Sequence, residues 1–411
     1  MNTTKVLSSS SSSSSLSNTD WAWLPQNLLY MVLNKLLLLS DIIKFSSVCT
    51  NWRSVAKGKF NQLKLRPYMY FNRDLPMLLI PSLAENNEFI RSLYSINQGE
   101  IYDLHLQAPY KKRCCGSSHG WLITLDGVAF EVNLINPFYF GSSKGIIHLP
   151  QFSPAIDMYK EIGEGFSFEY VICKAILSSD PISSPNEFVV MVIYGEMRML
   201  AFWKPGAEIW TYITWSLPQF FDVIYVKDHF LAVNTLGQIY SCEINDDANP
   251  TYNLRSICDS LMGLLGNCCR RYIVELPDKT IMQVIRILKA CMCTMNGPIL
   301  TIGFFIYKMV VDDNGRNDWL SIETLEDGAL FLGDNYSLYV SASQFPGCRS
   351  NSIYFTDDYH DSDAMLLNPY QLAGPFDIGV FLLDEKRIDR YYIPMAEEYH
   401  FPPPIWILPT L

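Results

Sequence analysis

From about residue 67 to the C-terminus the chain is a succession of short apolar runs rich in Val, Ile, Tyr and Phe, cut roughly every ten residues by Gly, Pro, Asn or Asp. That pattern confines this part of the chain to folds built from many short strands. Helical periodicity almost disappears. Several runs are related: Gly120-Trp121-Leu122-Ile123 leads to Ala129-Phe130-Glu131-Val132, and Trp210-x-x-Ile213 leads through Asp222–Tyr225 and Phe230–Val233 to Gly237–Tyr240. Trp319-x-x-Ile322 leads in the same way to Ala329–Leu332, Ser352–Phe355 and Gly379–Phe381. A tryptophan opening a strand, a second strand, then a Gly-x-aromatic strand is how a degenerate four-stranded propeller blade reads. The copies are irregularly spaced and carry no paired-glycine signature, so a sandwich or barrel also fits the pattern alone. As blades of about 45 to 50 residues, the roughly 345 residues from position 67 allow six or seven.

The first sixty residues read differently. Trp23-Leu24-Pro25 opens a helical stretch, since proline at a first helical position has no amide hydrogen to lose and a φ already suited to a helix. Leu28, Val32, Leu36 and Leu39 recur at helical spacing, with Leu29 and Leu33 widening the stripe. Ser40 before Asp41 fits the cap of a second helix whose apolar face is Ile42, Phe45, Val48 and Cys49. Trp52, Val55 and Ala56 supply a third short segment. Three helices of this size have too small a core to be comfortable alone, and so call for a partner.

Taken in order, Leu24-Pro25, the leucines, Ser40-Asp41 and the closing Val48-Cys49-x-x-Trp52-Arg53 resemble an F-box. The resemblance implies docking on a Skp-type linker and, through it, a cullin. By position it implies that Leu24, Pro25, Leu28, Leu29 and Trp52 face that linker. It also implies that the F-box performs no chemistry and holds no cofactor. Gln26 and Asn27 stand where many F-boxes carry an acid, which removes a charged contact.

Further along, Cys115–Leu122, Asn136-Pro137-Phe138, Ile176–Pro181, Phe345–Cys348, Asn351–Asp358 and Pro404-Ile405-Trp406 together resemble the C-terminal domain of unknown function that follows the F-box in a large plant family. That domain is considered kelch-like, which agrees with the blade pattern. The expectation is a mainly β protein with three parts: a disordered Ser-rich tail over 1–20, a three-helix F-box over 21–66, and a propeller of six or seven blades over 67–411. The implied role is the substrate-recognition subunit of a Skp-cullin-F-box ubiquitin ligase. A regulatory protein that binds the linker without delivering a substrate is the alternative.

Charge and cysteine usage bound the partners. Residues 1–66 carry +6 and the whole chain −11, leaving −17 on the remainder. So acidic a body has no global footprint for nucleic acid, whose phosphates demand Lys and Arg clusters, which favours protein partners. The eleven cysteines are odd in number, and the N-terminus does not read as a cleavable leader. Reduced thiols and a cytosolic or nuclear location are therefore expected. Cys114-Cys115, Cys268-Cys269 and Cys291-x-Cys293 lack the spacing of a zinc site. The uncharged stretch between Lys289 and Lys308 is broken by Asn296-Gly297-Pro298, which reads as a hairpin and not as a membrane span.

Two motifs raise the question of catalysis or metal binding. Gly116-Ser117-Ser118-His119-Gly120 satisfies the Gly-x-Ser-x-Gly pattern of a hydrolase nucleophile elbow. An elbow needs a helix after the serine, however, and Trp121–Leu125 reads as a strand, so a tight turn is expected. Asp357–Asp363 gathers carboxylates around His360 without calcium-loop spacing, and reads as a solvated acidic loop. No catalytic residue, metal ligand or cofactor site is expected.

Overall fold

The computed structural model describes residues 21–33, 35–36, 44–63, 76–81, 91–96, 99–104, 114–126, 129–137, 145–153, 171–195, 197–213, 219–245, 251–261, 269–290, 299–345, 347–358, 377–391 and 404–408. They fall into two compact units, one up to Leu65 and one from Arg66 onward. The Ser-rich tail lies outside the described residues.

In the first unit, α1 (Gln26–Leu33) begins directly after Pro25, whose carbonyl accepts the amides of Leu28 and Leu29. A helical turn follows over 44–47, and α2 spans Thr50–Leu63. The expected cap at Ser40 lies outside the described residues. Burial corrects the expected stripe. Leu29, Leu33, Phe45, Val55 and Ala56 form the interior, whereas Leu28 and Val32 are exposed. Trp52 packs its ring 4.5 Å from that of Phe45 and donates Nε1 to the carbonyl of Trp21 at 3.0 Å. Asn51 Nδ2 donates to the carbonyls of Ala22 and Leu24. The Trp52-Arg53 end of the motif thus pins the Leu-Pro start in place.

The second unit is a propeller of six blades. Blade 1 holds β1 (Met77–Pro81), β2 (Arg91–Ser95), β3 (Glu100–Leu104) and, from the far end of the chain, β25 (Ile405–Ile407). Blade 2 holds β4 (Cys114–Ser118), β5 (Trp121–Leu125), β6 (Glu131–Ile135) and β7 (Ile146–Gln151). Blade 3 comprises β8 (Ile172–Leu177), β9 (Val190–Tyr194), β10 (Met199–Trp203) and β11 (Thr211–Tyr212). Blade 4 comprises β12 (Phe220–Val226), β13 (His229–Asn234), β14 (Ile239–Ile244) and β15 (Tyr252–Cys258). Blade 5 is built from β16 (Cys269–Glu275), β17 (Ile281–Ala290), β18 (Ile299–Val311) and β19 (Asn317–Ile322). Blade 6 has five strands: β20 (Gly328–Leu332), β21 (Leu338–Ser341), β22 (Ser352–Phe355), β23 (Gly379–Leu382) and β24 (Arg387–Arg390).

Middle strands of a blade are covered on both faces by the neighbouring blades, so they read as continuous apolar runs; β5, β9 and β20 are buried at every position. Outer strands face water and alternate, as β19 does. This shifts the blade boundaries expected from the tryptophan runs. Trp210–Ile213 brackets β11 and Trp319–Ile322 belongs to β19, so these runs end a blade where the sequence pattern has them opening one. Asn296-Gly297-Pro298 lies outside the described residues, but β17 and β18 on either side pair antiparallel, which is the expected hairpin. No described helix is long and apolar enough to cross a membrane.

Candidate functional site

The first strands of successive blades, β4, β8, β12 and β16, together with β25, pack against one another around the propeller axis. Blade 6 departs from the meander: β20 pairs parallel with β22, and β21 lies at the inner edge against β16. The connection from Gly333 to Ser337 then crosses the axis. Its Tyr336 amide donates to Ser117 in β4 and its Tyr336 hydroxyl to the carbonyl of Tyr225 in β12. Buried Lys174 of β8 stands 2.5 Å from Asp222 of β12 and also donates to the Gly333 carbonyl. Asp222 Oδ2 accepts Ser337 Oγ at 2.7 Å and the Ile273 amide of β16 at 2.9 Å. One fully partnered charge pair thereby ties four blades at the centre, which is the condition under which a buried ion pair is tolerated.

At the end of the axis where these inner strands finish, a concave mouth encloses about 290 Å³. Ser118 and His119 come from β4 and its turn, Tyr225 from β12, Glu275 from β16, and Asn335 and Tyr336 from the axial crossing. Trp406 of β25 and Phe331 of β20 line it as well. Burial, the dominant influence, lowers the His119 pKa despite Asp180 and the ring's bonds to the carbonyls of Leu177 and Ser178.

In the first unit the sequence-named residues separate by role. Pro25 and Leu28 are exposed, Leu24 and Trp52 partly so, and Leu29 is wholly buried. Beside Leu28 stand Met31, 66% exposed, and Val32, 43% exposed, with Trp21 and Val48 also exposed. Periodicity cannot distinguish the two flanks of a wide apolar stripe, so it left Met31 unmarked. Leu28, Met31 and Val32, at i, i+3 and i+4 of α1, make an uncovered apolar flank on a small unit, the usual mark of a protein-binding surface.

Residues 93–382 match the profile described as the KIB1-4 beta-propeller, and residues 21–61 match that of the F-box domain. The chain belongs to the KIB1-4 beta-propeller family. Among relatives of this KIB1-4 propeller protein, the Putative F-box protein At5g55150 of Arabidopsis thaliana is 26% identical over 96% of this chain and 98% of that protein. F-box protein SKIP23 of the same plant is 24% identical over 94% of this chain and 95% of its own length. The matched propeller region runs from within β2 to the end of β23, so the closing strand β25 lies beyond it.

The two sequence motifs take structural roles in this KIB1-4 propeller. Ser118 ends β4, is buried and donates to the Leu177 carbonyl; the next two residues, His119 (φ 50°) and Gly120 (φ 74°), make a two-residue hairpin turn into β5. A Cβ on Gly116 would lie 2.0 Å from the Ala175 carbonyl oxygen, so that glycine lets β4 and β8 approach. Of the acidic run, Asp358 is not solvated as expected. It is buried and bonded to Arg286 at 2.8 Å and to the Tyr272 hydroxyl at 2.6 Å. Residues 359–363 lie outside the described residues.

Proposed function

We propose that this protein is the substrate-recognition subunit of a Skp-cullin-F-box ubiquitin ligase, acting in cytosol or nucleus. The F-box holds the Skp-type linker, and the propeller presents a protein to be ubiquitinated. The observation that carries the reading is the division of α1 into a buried flank, Leu29 and Leu33, and an uncovered apolar flank, Leu28, Met31 and Val32. The first makes the unit; the second is available to a partner. The contribution to ubiquitination is proximity: holding a substrate lysine beside a charged ubiquitin carrier replaces a dilute encounter by an effectively intramolecular one. The chain itself supplies no catalytic group in this scheme.

The test is capture of a Skp-type linker by the full chain beside a Leu28→Ala, Met31→Ala variant. Each anchor at an interface centre is worth about 2 kcal/mol, so the pair should weaken capture well over tenfold while the propeller still unfolds cooperatively. Equal capture by both proteins would remove the linker from the proposal. Proteins that accumulate on the wild type but not on an F-box-deleted chain under proteasome inhibition are the expected substrates.

A further inference from the structure

Among the described methionines the one most open to solvent is Met31, 66% exposed, in the flank of α1 assigned to the linker. Met197, in a propeller turn, follows at 50%. Met77, Met191 and Met282 are buried, and Met199 and Met309 are half-buried. Met31 stands one turn after Leu28 and next to Val32, so its sulfur lies within the apolar flank and not at its margin. An unbranched thioether adapts to the shape of a partner, which suits a residue at such a place. The same sulfur, held out in water, is open to oxidation. That change turns a flexible apolar side chain into a polar, chiral sulfoxide.

We propose that Met31 is an oxidation switch on linker docking: peroxide converts its thioether to the sulfoxide, and the modified flank no longer seats the linker. The switch rests on the adaptor reading and acts on that same surface. The sulfur lone pair attacks one oxygen of hydrogen peroxide and the O–O bond breaks. The proton on the transferred oxygen passes to the departing hydroxide, which leaves as water. Sulfur is oxidised by one electron pair, and peroxide is reduced by it. A methionine sulfoxide reductase reverses the step with a dithiol, which ends as a disulfide while the oxygen leaves as water. The new oxygen is a strong acceptor, and neither Leu28 nor Val32 carries a donor for it. An acceptor buried unpaired opposes association. The free chain is the form that reacts, because docking covers the sulfur. Cys49, half-buried in the same unit with its thiol 4.0 Å from the Ala22 carbonyl, is the competing target for peroxide.

The test treats the full chain with hydrogen peroxide, measures capture of a Skp-type linker before and after, and reads oxygen added at Met31 and Met197 by peptide mass spectrometry. Each protein is compared with itself, so differences in basal capture between variants drop out. Wild type should gain oxygen at Met31 and lose capture about tenfold, the effect of one unpaired polar group at an interface. Met31→Leu, close in volume and without sulfur, should capture equally before and after treatment. Methionine sulfoxide reductase with dithiothreitol should restore the wild type where dithiothreitol alone does not, which separates a sulfoxide from an oxidised Cys49. Linker bound before treatment should protect Met31 while Met197 still oxidises. The proposal is overturned by a Met31 that stays unoxidised in the free chain, by capture that survives its oxidation, or by an equal loss in Met31→Leu. Recovery with dithiothreitol alone, or equal oxidation of Met31 under bound linker, overturns it as well. The adaptor reading has its own outcome: absence of capture by untreated wild type removes it and the switch together, whereas capture that peroxide leaves intact removes only the switch.

Discussion

Leu78 of β1 stands opposite Trp406 of β25, so a single blade contains both ends of the propeller. Trp406 is buried, meets the rings of Phe331 and Tyr354 edge-on at 5.1 and 6.2 Å, and donates Nε1 to the Leu332 carbonyl of blade 6. A three-residue strand thus closes the ring and fastens blade 1 to blade 6.

A chain ending at Pro403 lacks only that strand and the few residues after it. It should lose cooperative unfolding and precipitate, because the inner edge of β1 is then unpaired. Trp406→Ala in the full chain should cost about 3–5 kcal/mol in urea denaturation. Soluble, cooperatively unfolding protein from the shortened chain would show that the closure is dispensable.

Arg286 is the second fastening. Its guanidinium reaches Asp358 and Asp377 at 2.8 Å each and Thr301 at 2.7 Å, and lies over the Phe355 ring, all out of water. Arg286→Met leaves two carboxylates without this partner in the interior and should destabilise by about 3–5 kcal/mol. Replacing Arg286, Asp358 and Asp377 together by apolar residues should recover much of that loss, which equilibrium unfolding of the two variants would reveal.

Acid stability follows from Asp377. Burial alone would raise its pKa, but the charge of Arg286 and hydrogen bonds from Thr301, Arg390 and Arg286 outweigh it and hold the carboxyl below its ordinary value. A folded pKa below the unfolded one, about 3.9, means that the stabilisation is complete above the unfolded value and is lost as pH falls through the folded one. Wild type should therefore lose stability below about pH 4 more steeply than Asp377→Asn, a difference read from midpoints of urea unfolding across pH 2–6.

Gly116→Ala tests the close approach of β4 and β8. The added methyl meets the Ala175 carbonyl oxygen, and backbone cannot move aside as a side-chain tip would. The expected cost is about 3 kcal/mol, against no more than about 1 kcal/mol for Ser118→Ala, which removes one long hydrogen bond. The reverse order in thermal unfolding would contradict the packing role given to Gly116.

In the F-box, Leu28→Ala and Leu29→Ala should separate binding from folding. Leu29 is wholly buried, and its truncation should destabilise the helical unit by about 2–5 kcal/mol. Leu28, 41% exposed, should leave the unit folded and weaken linker capture. Circular dichroism of the two variants alongside capture distinguishes the roles.

Particular residues show how much was legible. The order Leu24-Pro25 to Trp52-Arg53 was enough to find the helical module, because capping and apolar spacing are local properties of a chain. It could not tell Leu28 from Leu29: both fall within one broad stripe, and only the packing of Phe45, Val55 and Ala56 selects the flank that is buried. The strand-rich character of residues 67–411 was legible for the same local reason, and so was the turn at His119-Gly120. The placement of the tryptophan runs was not, since Trp319 marks the outer strand of a blade and nothing in its neighbours states which side faces water.

By itself the sequence determined what depends on residues near one another in the chain: an F-box followed by many short buried strands, an acidic body, the antiparallel pairing of β17 with β18 and a tight turn after Ser118. The tertiary structure alone decided the number of blades, the pairing of Leu78 with Trp406, and the use of Asp358 as a buried partner of Arg286. It also brought Glu275, Asn335 and Ser118 to one mouth. These are contacts between residues far apart in sequence, formed when closure of the ring removes the last strand edges, and no local spacing encodes which distant partner a buried charge or an unpaired strand will meet.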